Sequence, residues 1–417
     1  MFQVGQARRV DALIRTPSLI SIRAPRNVWS LGLTSFLTDI SSEMVASILP
    51  AYLVLQLGFT PLAFGAIDGL YQGATALTRL VGGFIADRTR RYKEVAAIGY
   101  AISTVSRLLL LFVSTASAIG AVIAIDRLGK GIRTAPRDAI IGLSVRRAEL
   151  AGAFGVHRAL DTAGAALGPL VAFGVLAIAH RAFDAVFLVS FALGVFGLAA
   201  VVLLVRNPAD AAQSTTVERV THSAILTLGH SREFRKLSIG AAALSLATVS
   251  DGFLYLVLQR DLGVDAAVLP LMFAGTAVCY FISAVPLGRA ADRFGRRAVF
   301  LCGYIFLLLA YGVVLSRVTP MLQIVAVLAL LGAYYGATDG VLAALASAVL
   351  PAPLRGTGLA VLTTGITLAR LVGSVLFGYL WTVTAARSAL QIFAGGLVTC
   401  LVLAAFTLST GRQESRA

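Results

Sequence analysis

The 417-residue chain predicts an all-α integral membrane protein, its twelve transmembrane helices arranged as two pseudo-symmetric six-helix bundles. Three observations carry that expectation. The sequence is 58% hydrophobic and 13% charged, whereas a water-soluble domain needs about 25% charged residues to cover its surface. Apolar runs long enough to cross a bilayer, about 20 residues each, recur from one end to the other. Short motifs of the first half return, in order, in the second. Only helices and closed barrels satisfy every backbone group in lipid, and continuous runs of this length exclude the short alternating segments of barrel strands.

The spans fall at 27–56, 62–86, 94–115, 117–141, 151–178, 184–205, 237–260, 267–289, 298–316, 320–349, 358–382 and 387–409. Residues 1–26 read as a cytoplasmic N-terminal segment, rich in arginine but without the short apolar core of a cleavable signal. The hydrophilic interval 206–236 is the central cytoplasmic loop; it separates a bundle at 27–205 from one at 237–409, and 410–417 form the tail. Placing the N-terminus inside gathers Arg88, Arg90, Arg91, Lys93, Arg146, Arg206, Arg232, Arg235, Lys236, Arg293, Arg296, Arg297 and Arg355 on the inner side. The net charge of +15 is thus the positive-inside bias of a membrane protein, not a nucleic-acid footprint. Both termini are expected in the cytoplasm, in the cell inner membrane. Cys279, Cys302 and Cys400 fall within spans and read as small apolar residues.

The repeat is specific. YLVLQ at Tyr52–Gln56 returns at Tyr255–Gln259, and Leu57–Gly58 returns at Leu262–Gly263. GFIADR at Gly83–Arg88 answers GRAADR at Gly288–Arg293, and Phe173–Gly174 answers Phe377–Gly378. Duplicated halves suit alternating access, in which two bundles rock about a site near the bilayer midplane.

The loop after the eighth span carries Gly288, Asp292, Arg293, Gly295, Arg296 and Arg297; the loop after the second carries Gly83, Asp87, Arg88 and Arg91, with Arg90 at the loop glycine. This is the pattern GxxxD[RK]xG[RK][RK], and with it the chain resembles the major facilitator superfamily over essentially its whole length. The resemblance implies that these residues gate, latching the halves in one access state. Glycine permits close helix contact, and an aspartate at a helix end is held by an arginine or a neighbouring helix N-terminus.

Ionisable side chains within a span are costly unless paired or wetted, so each is a functional candidate. Span 1 places Asp39 and Glu43 one turn apart on one face, with Asp39 about 18 Å from the inner surface at about 1.5 Å per residue. Span 2 holds Asp68 and Arg79, and span 3 Arg107. In span 4, Asp126, Lys130, Arg133 and Arg137 form one stripe, and Pro136 kinks the inner end. Arg127 with Gly131 resembles the family's RxxQG element, Lys130 standing for glutamine. Span 5 gathers His157, Arg158 and Asp161 within a turn; Gly164, Gly168 and Pro169 beyond them resemble the family's GxxxGP antiporter element. Arg137, Asp138 and Asp68 read as structural pairs or snorkelling ends, while Arg79 and Arg107 admit either reading. Asp39, Arg127, Lys130 and Arg158 read as lining a wet cavity. The second half offers only Asp251, Asp339 and Arg370, and reads as an apolar wall. Trp29 and Trp381 read as interfacial anchors; Tyr334 and Tyr335 fit packing as well as a cavity.

A secondary active transporter of a small solute follows, with proton-coupled efflux implied by the likeness to the drug/proton-antiporter branch. The alternative is an importer or uniporter of a small organic anion, and the remote one a transport-dead sensor. No GxxxxGK[ST] loop supplies an ATPase, and the four histidines show no metal pair. Neither enzymatic activity, cofactor, metal nor nucleic acid is expected; the partners are substrate, protons and the bilayer, and the working unit is a monomer. Asp39 is the expected coupling acid, with Arg127 and Arg158 as partners and Glu43 as the fallback. Lys130 and Arg133 tilt the expected substrate toward an anionic or zwitterionic group.

Overall fold

The computed structural model describes residues 25–146, 149–179, 182–207, 231–316, 318–351 and 354–409. Most of the segment predicted over 1–26, most of the loop 206–236 and the tail 410–417 lie outside the described residues, as do the side chains of 75–82 and of Asp87. The first half comprises α1 (Arg26–Pro50), α2 (Pro61–Thr89), α3 (Tyr92–Leu109), α4 (Ala116–Leu143), α5 (Leu150–Ile178) and α6 (Phe183–Leu204). The second comprises α7 (Arg232–Leu246), α8 (Asp251–Leu262), α9 (Leu269–Phe294), α10 (Arg296–Leu315), α11 (Pro320–Val349), α12 (Arg355–Val383) and α13 (Ala386–Ser409). Among the described residues nine spans are long and apolar enough to cross a membrane by length and composition alone. The chain is a multi-pass membrane protein. The helices outside that set are α1, α2 and α4, which carry much of the first half's embedded charge.

Local chemistry sets several helix starts. Thr60 accepts from Ala63 N at 3.2 Å and Pro61 opens α2, while Thr115 accepts from Ala118 N at 3.3 Å to cap α4. Beyond Pro50 the first span widens into a π-helical turn, Ala51–Gln56.

The seventh span, expected as one helix over 237–260, is broken. The backbone leaves the helix between Ala247 and Ser250 and restarts as α8. One side chain from α10 satisfies the freed groups: the Tyr311 hydroxyl accepts from Val249 N at 2.7 Å and donates to Ala247 O at 3.3 Å. Buried backbone groups without partners would destabilise such a break.

Within the first half α1 packs on α5 and α6, and α4 on α2 and α3; within the second α11 packs on α9 and α10, and α12 and α13 on α7. The halves meet chiefly where α2 lies against α12 and α5 against α9. Under the six-span repeat these two contacts exchange, so the interface keeps the duplication's pseudo-twofold. The α2–α12 seam is backbone against backbone. A Cβ at Gly65 would lie 2.4 Å from Ser374 O, at Gly69 2.9 Å from Leu371 O, and at Gly378 2.4 Å from Pro61 O. Beside it Phe253 stacks edge-on against Phe64 at 4.7 Å and Phe377 at 4.8 Å. Trp381, expected at the lipid interface, is only 7% exposed and packs against Phe253. The cause is its position on the α12 face turned to the partner half. These contacts lie at the end of the bundle away from Arg26, hereafter the distal end.

Candidate functional site: a polar network beside a cavity between the halves

The α1–α5 contact is built on glycine. A Cβ at Gly164 would lie 2.4 Å from Phe36 O, and one at Gly168 2.6 Å from Glu43 Cβ. This closeness presses Asp161 toward Asp39, their carboxyls within hydrogen-bonding reach. Asp39, 8% exposed, also lies 3.8 Å from Arg133 Nη2. The Arg133 guanidinium covers the Tyr100 ring at 4.4 Å, positioned by the close approach of Gly99 to Gly129 O, where a Cβ would sit at 2.7 Å. Asp161 also meets Arg137 Nη1 at 3.5 Å and Arg158 Nη1 at 3.4 Å. Lys130 acts electrostatically on both Asp39 and Glu43.

A second knot lies deeper in α4. Asp126 accepts from Arg127 Nε at 2.8 Å and pairs with Arg107 Nη2 at 3.9 Å. Arg127 lies over the Tyr71 ring, 3.8 Å from its centroid. Buried pairs of this kind are held because removing one partner strands the other at a cost of about 3–5 kcal/mol.

Between the halves lies a cavity of about 190 Å³. From the first half Glu43, Asp68, Tyr71 and Gln72 line it; from the second Ser250, Asp251, Tyr335 and Arg370. Asp68 accepts from Ser374 Oγ of the opposite half at 2.7 Å and from Gln72 Nε2 at 3.1 Å. Tyr335 donates to Asp251 Oδ1 at 2.9 Å, and Arg370 Nη2 donates to Tyr334 Oη at 3.4 Å. The broken seventh span brings residues 248–252 to this wall.

A profile of the Major Facilitator Superfamily matches residues 31–257 and 237–417. The chain belongs to the Major Facilitator Superfamily. "Uncharacterized MFS-type transporter MJ1317" of Methanocaldococcus jannaschii is 30% identical over 369 residues, 86% of this chain and 89% of the relative. "Uncharacterized protein Rv2265" of Mycobacterium tuberculosis is 26% identical, covering 93% of this chain and 94% of its own. Among solved structures, that of the nucleoside transporter NupG superposes with a TM-score of 0.73 at 17% identity, over 93% of this chain and 99% of the other. The POT family transporter PepTSo gives 0.73 at 14% identity, over 93% and 98%. At such identity the likeness is one of fold. Membership makes this chain a secondary transporter of a solute and not an enzyme.

In this superfamily member the expected site residues separate into groups. Asp39 is buried, with Glu43 a turn further along and on the cavity wall. The described ion-pair partner of Asp39 is Arg133; Arg127 is turned to Asp126 and Tyr71, and Arg158 has a side chain 76% exposed, bound to Asp161 on its own helix. Arg158 stands only two turns from the start of α5, too near the end to be deep. The basic residues of α4 flank the carboxylates and, Arg127 and Lys130 included, do not line the cavity among the described residues. His157 is buried, with neither ring nitrogen hydrogen-bonded among the described residues. Arg107 joins the buried knot, and Arg137 its expected structural pair, Asp138, at 3.0 Å.

Asp68, read as structural, is on the cavity wall, and the second half contributes Asp251, Tyr335 and Arg370 in place of a purely apolar surface. Tyr71 and Gln72 escaped the sequence reading; their spacing of three and four from Asp68 marks one polar helix face. Tyr334 packs against Tyr304 at 5.3 Å.

Of the expected gate, Asp292 meets Arg296 at 3.4 Å, Arg296 Nη1 donates to Ala344 O at 3.4 Å, and Arg297 meets Glu233 at 3.8 Å, all within the second half. Arg293 faces the Phe294 ring at 5.3 Å. Gly83 does make a close contact, its Cβ position 3.2 Å from Ala135 Cβ, but Gly288 has open space around it and mediates none. Gly295 turns the second loop at φ +100, and Arg90 does so in the first at φ 55, where a side chain is strained. Arg88 and Arg91 are exposed. Pro169 is buried behind Gly168.

Proposed function

We propose that this superfamily member is a proton-coupled exporter of the cell inner membrane, with both termini cytoplasmic, exchanging protons for a small solute held in the cavity between its halves. One observation carries the reading: Asp39 stands buried between Arg133 and Asp161, on the helix that one turn later lines the cavity with Glu43. Two carboxyls within hydrogen-bonding reach bond only while they share a proton, and that proton sets whether Arg133 is neutralised by Asp39. Rocking of the two halves changes the access of water to this pair and so the proton's affinity. The GxxxGP element, packed directly on Asp39's helix, keeps the two carboxyls together while the halves move. The antiport direction rests on that element.

Metabolite and drug-susceptibility profiling of deletion and overexpressing strains supplies the solute. In proteoliposomes, Asp39→Asn then abolishes accumulation driven by a pH gradient and leaves solute exchange measurable. Accumulation that persists in the variant under a proton gradient alone removes Asp39 from the coupling role; loss of exchange as well makes the pair structural.

A further inference from the structure

The charges on the cavity wall point to a class of ligand, on the reading that this cavity is the transport site. Three carboxyl groups face it, Glu43, Asp68 and Asp251, and one guanidinium, Arg370. Of the other cations of the neighbourhood, Arg107 and Arg127 are committed to Asp126 and Arg133 to Asp39, while Lys130, outside the lining, acts on Glu43 and leaves Asp68 and Asp251, among the described residues, to Arg370 alone. Asp68 and Asp251 line the same cavity from opposite halves. A carboxylate offers about four acceptor positions; Asp251 is given the Tyr335 hydroxyl, and Asp68 the donors of Ser374 and Gln72. Acceptors are therefore in excess, and a ligand that brings N–H donors and positive charge satisfies both walls at once.

Three further wall atoms are buried without a hydrogen-bond partner among the described residues, Tyr71 Oη, Ser250 Oγ and Arg370 Nε. Each can donate to a ligand oxygen. Phe64 and Phe273 add aromatic faces. The volume, about 190 Å³, is comparable to a cavity of about 150 Å³ that holds a single benzene ring, which limits the ligand to a small molecule.

We propose that the cavity binds a small protonated amino alcohol, its ammonium between Asp68 and Asp251, its oxygen toward Arg370 Nε and Tyr71 Oη, and its hydrocarbon against Phe64 and Phe273. Because the ammonium bridges the halves, its arrival draws them together.

The test uses purified protein in detergent and three probes on one skeleton: 2-amino-1-phenylethanol, 1-phenyl-1,2-ethanediol and mandelate. Thermal stabilisation and intrinsic fluorescence titration should show saturable binding of the amine, binding of the diol weaker by about tenfold or more, and none of mandelate. Asp251→Asn should weaken amine binding by about tenfold or more and leave the weaker binding of the diol, which carries no positive charge, unchanged. A substitution that merely disturbs the fold would weaken both probes alike. Mandelate bound as tightly as the amine, no saturable amine response up to millimolar concentration, or an Asp251→Asn variant that weakens amine and diol equally overturns the proposal. No gradient enters this measurement, so its failure sinks the ligand class alone, and failure of the Asp39→Asn vesicle test sinks the coupling mechanism alone.

Discussion

A methyl group added at Gly168 would meet Glu43 Cβ at 2.6 Å and Ile40 O at 2.8 Å, while one added at Gly288 would meet nothing within 4 Å. Gly168→Ala should therefore separate α1 from α5 and lower stability by about 1–3 kcal/mol, and Gly288→Ala, in a helix interior with open space, should leave the melting temperature unchanged or slightly raised. Melting curves of the two detergent-solubilised variants decide this; equal curves would mean that the α1–α5 contact yields without cost. Spacing alone does not separate the two glycines, since a motif fixes where a small residue stands and not what approaches it. Asp39 was legible for a different reason: counting residues from the span's start gives its depth. Its partner was not, because Arg127 lies one residue off the α4 stripe and its neighbour Tyr71 belongs to another helix.

At the scale of elements, the turn residues did their work openly. Thr60 with Pro61 and Thr115 start α2 and α4 in the structure, within a residue or two of the starts that apolar length alone gives. The broken seventh span carried a weaker signal: Leu246–Asp251 contains neither glycine nor proline, and Ser250, at the start of α8, makes no side-chain cap bond. Its shape depends on a hydroxyl that arrives from Tyr311, beyond the reach of local pattern. Tyr311→Phe keeps the ring and strands Val249 N and Ala247 O, at a cost of about 1–3 kcal/mol. Hydrogen exchange followed by mass spectrometry should show faster exchange across residues 247–250 with the rest of α7 and α8 unchanged. Unaltered protection there would mean that another group takes over the bond.

For the whole molecule, the duplication was legible because motifs kept their order, yet the faces that join the halves were not. In a bilayer the lipid-facing and partner-facing sides of a helix are both apolar, so the hydrophobic pattern does not tell them apart. That is why Asp68 and Trp381 were misplaced. In a cysteine-free background, single cysteines at Thr89, Thr215 and Gln413 should be labelled only from the cytoplasm, and one at Thr60 only from outside. External labelling at 215 would overturn the arrangement of six spans on each side of the central loop. The α2–α12 seam also bears on electrical insulation. Where Gly65, Gly69 and Gly378 set main chain against main chain, no side chain is available to swing aside and admit a file of water. A membrane that stores energy as a proton gradient loses it through any such file, so a tight seam lets the protein sit in that membrane at rest without draining it. Gly65→Leu should wedge the seam and turn a gated carrier into a slow short circuit: vesicles loaded with a pH-sensitive dye would lose an imposed gradient with no solute present. Decay no faster than that of unaltered vesicles would place the insulating layer elsewhere, at the aromatic cluster around Phe253.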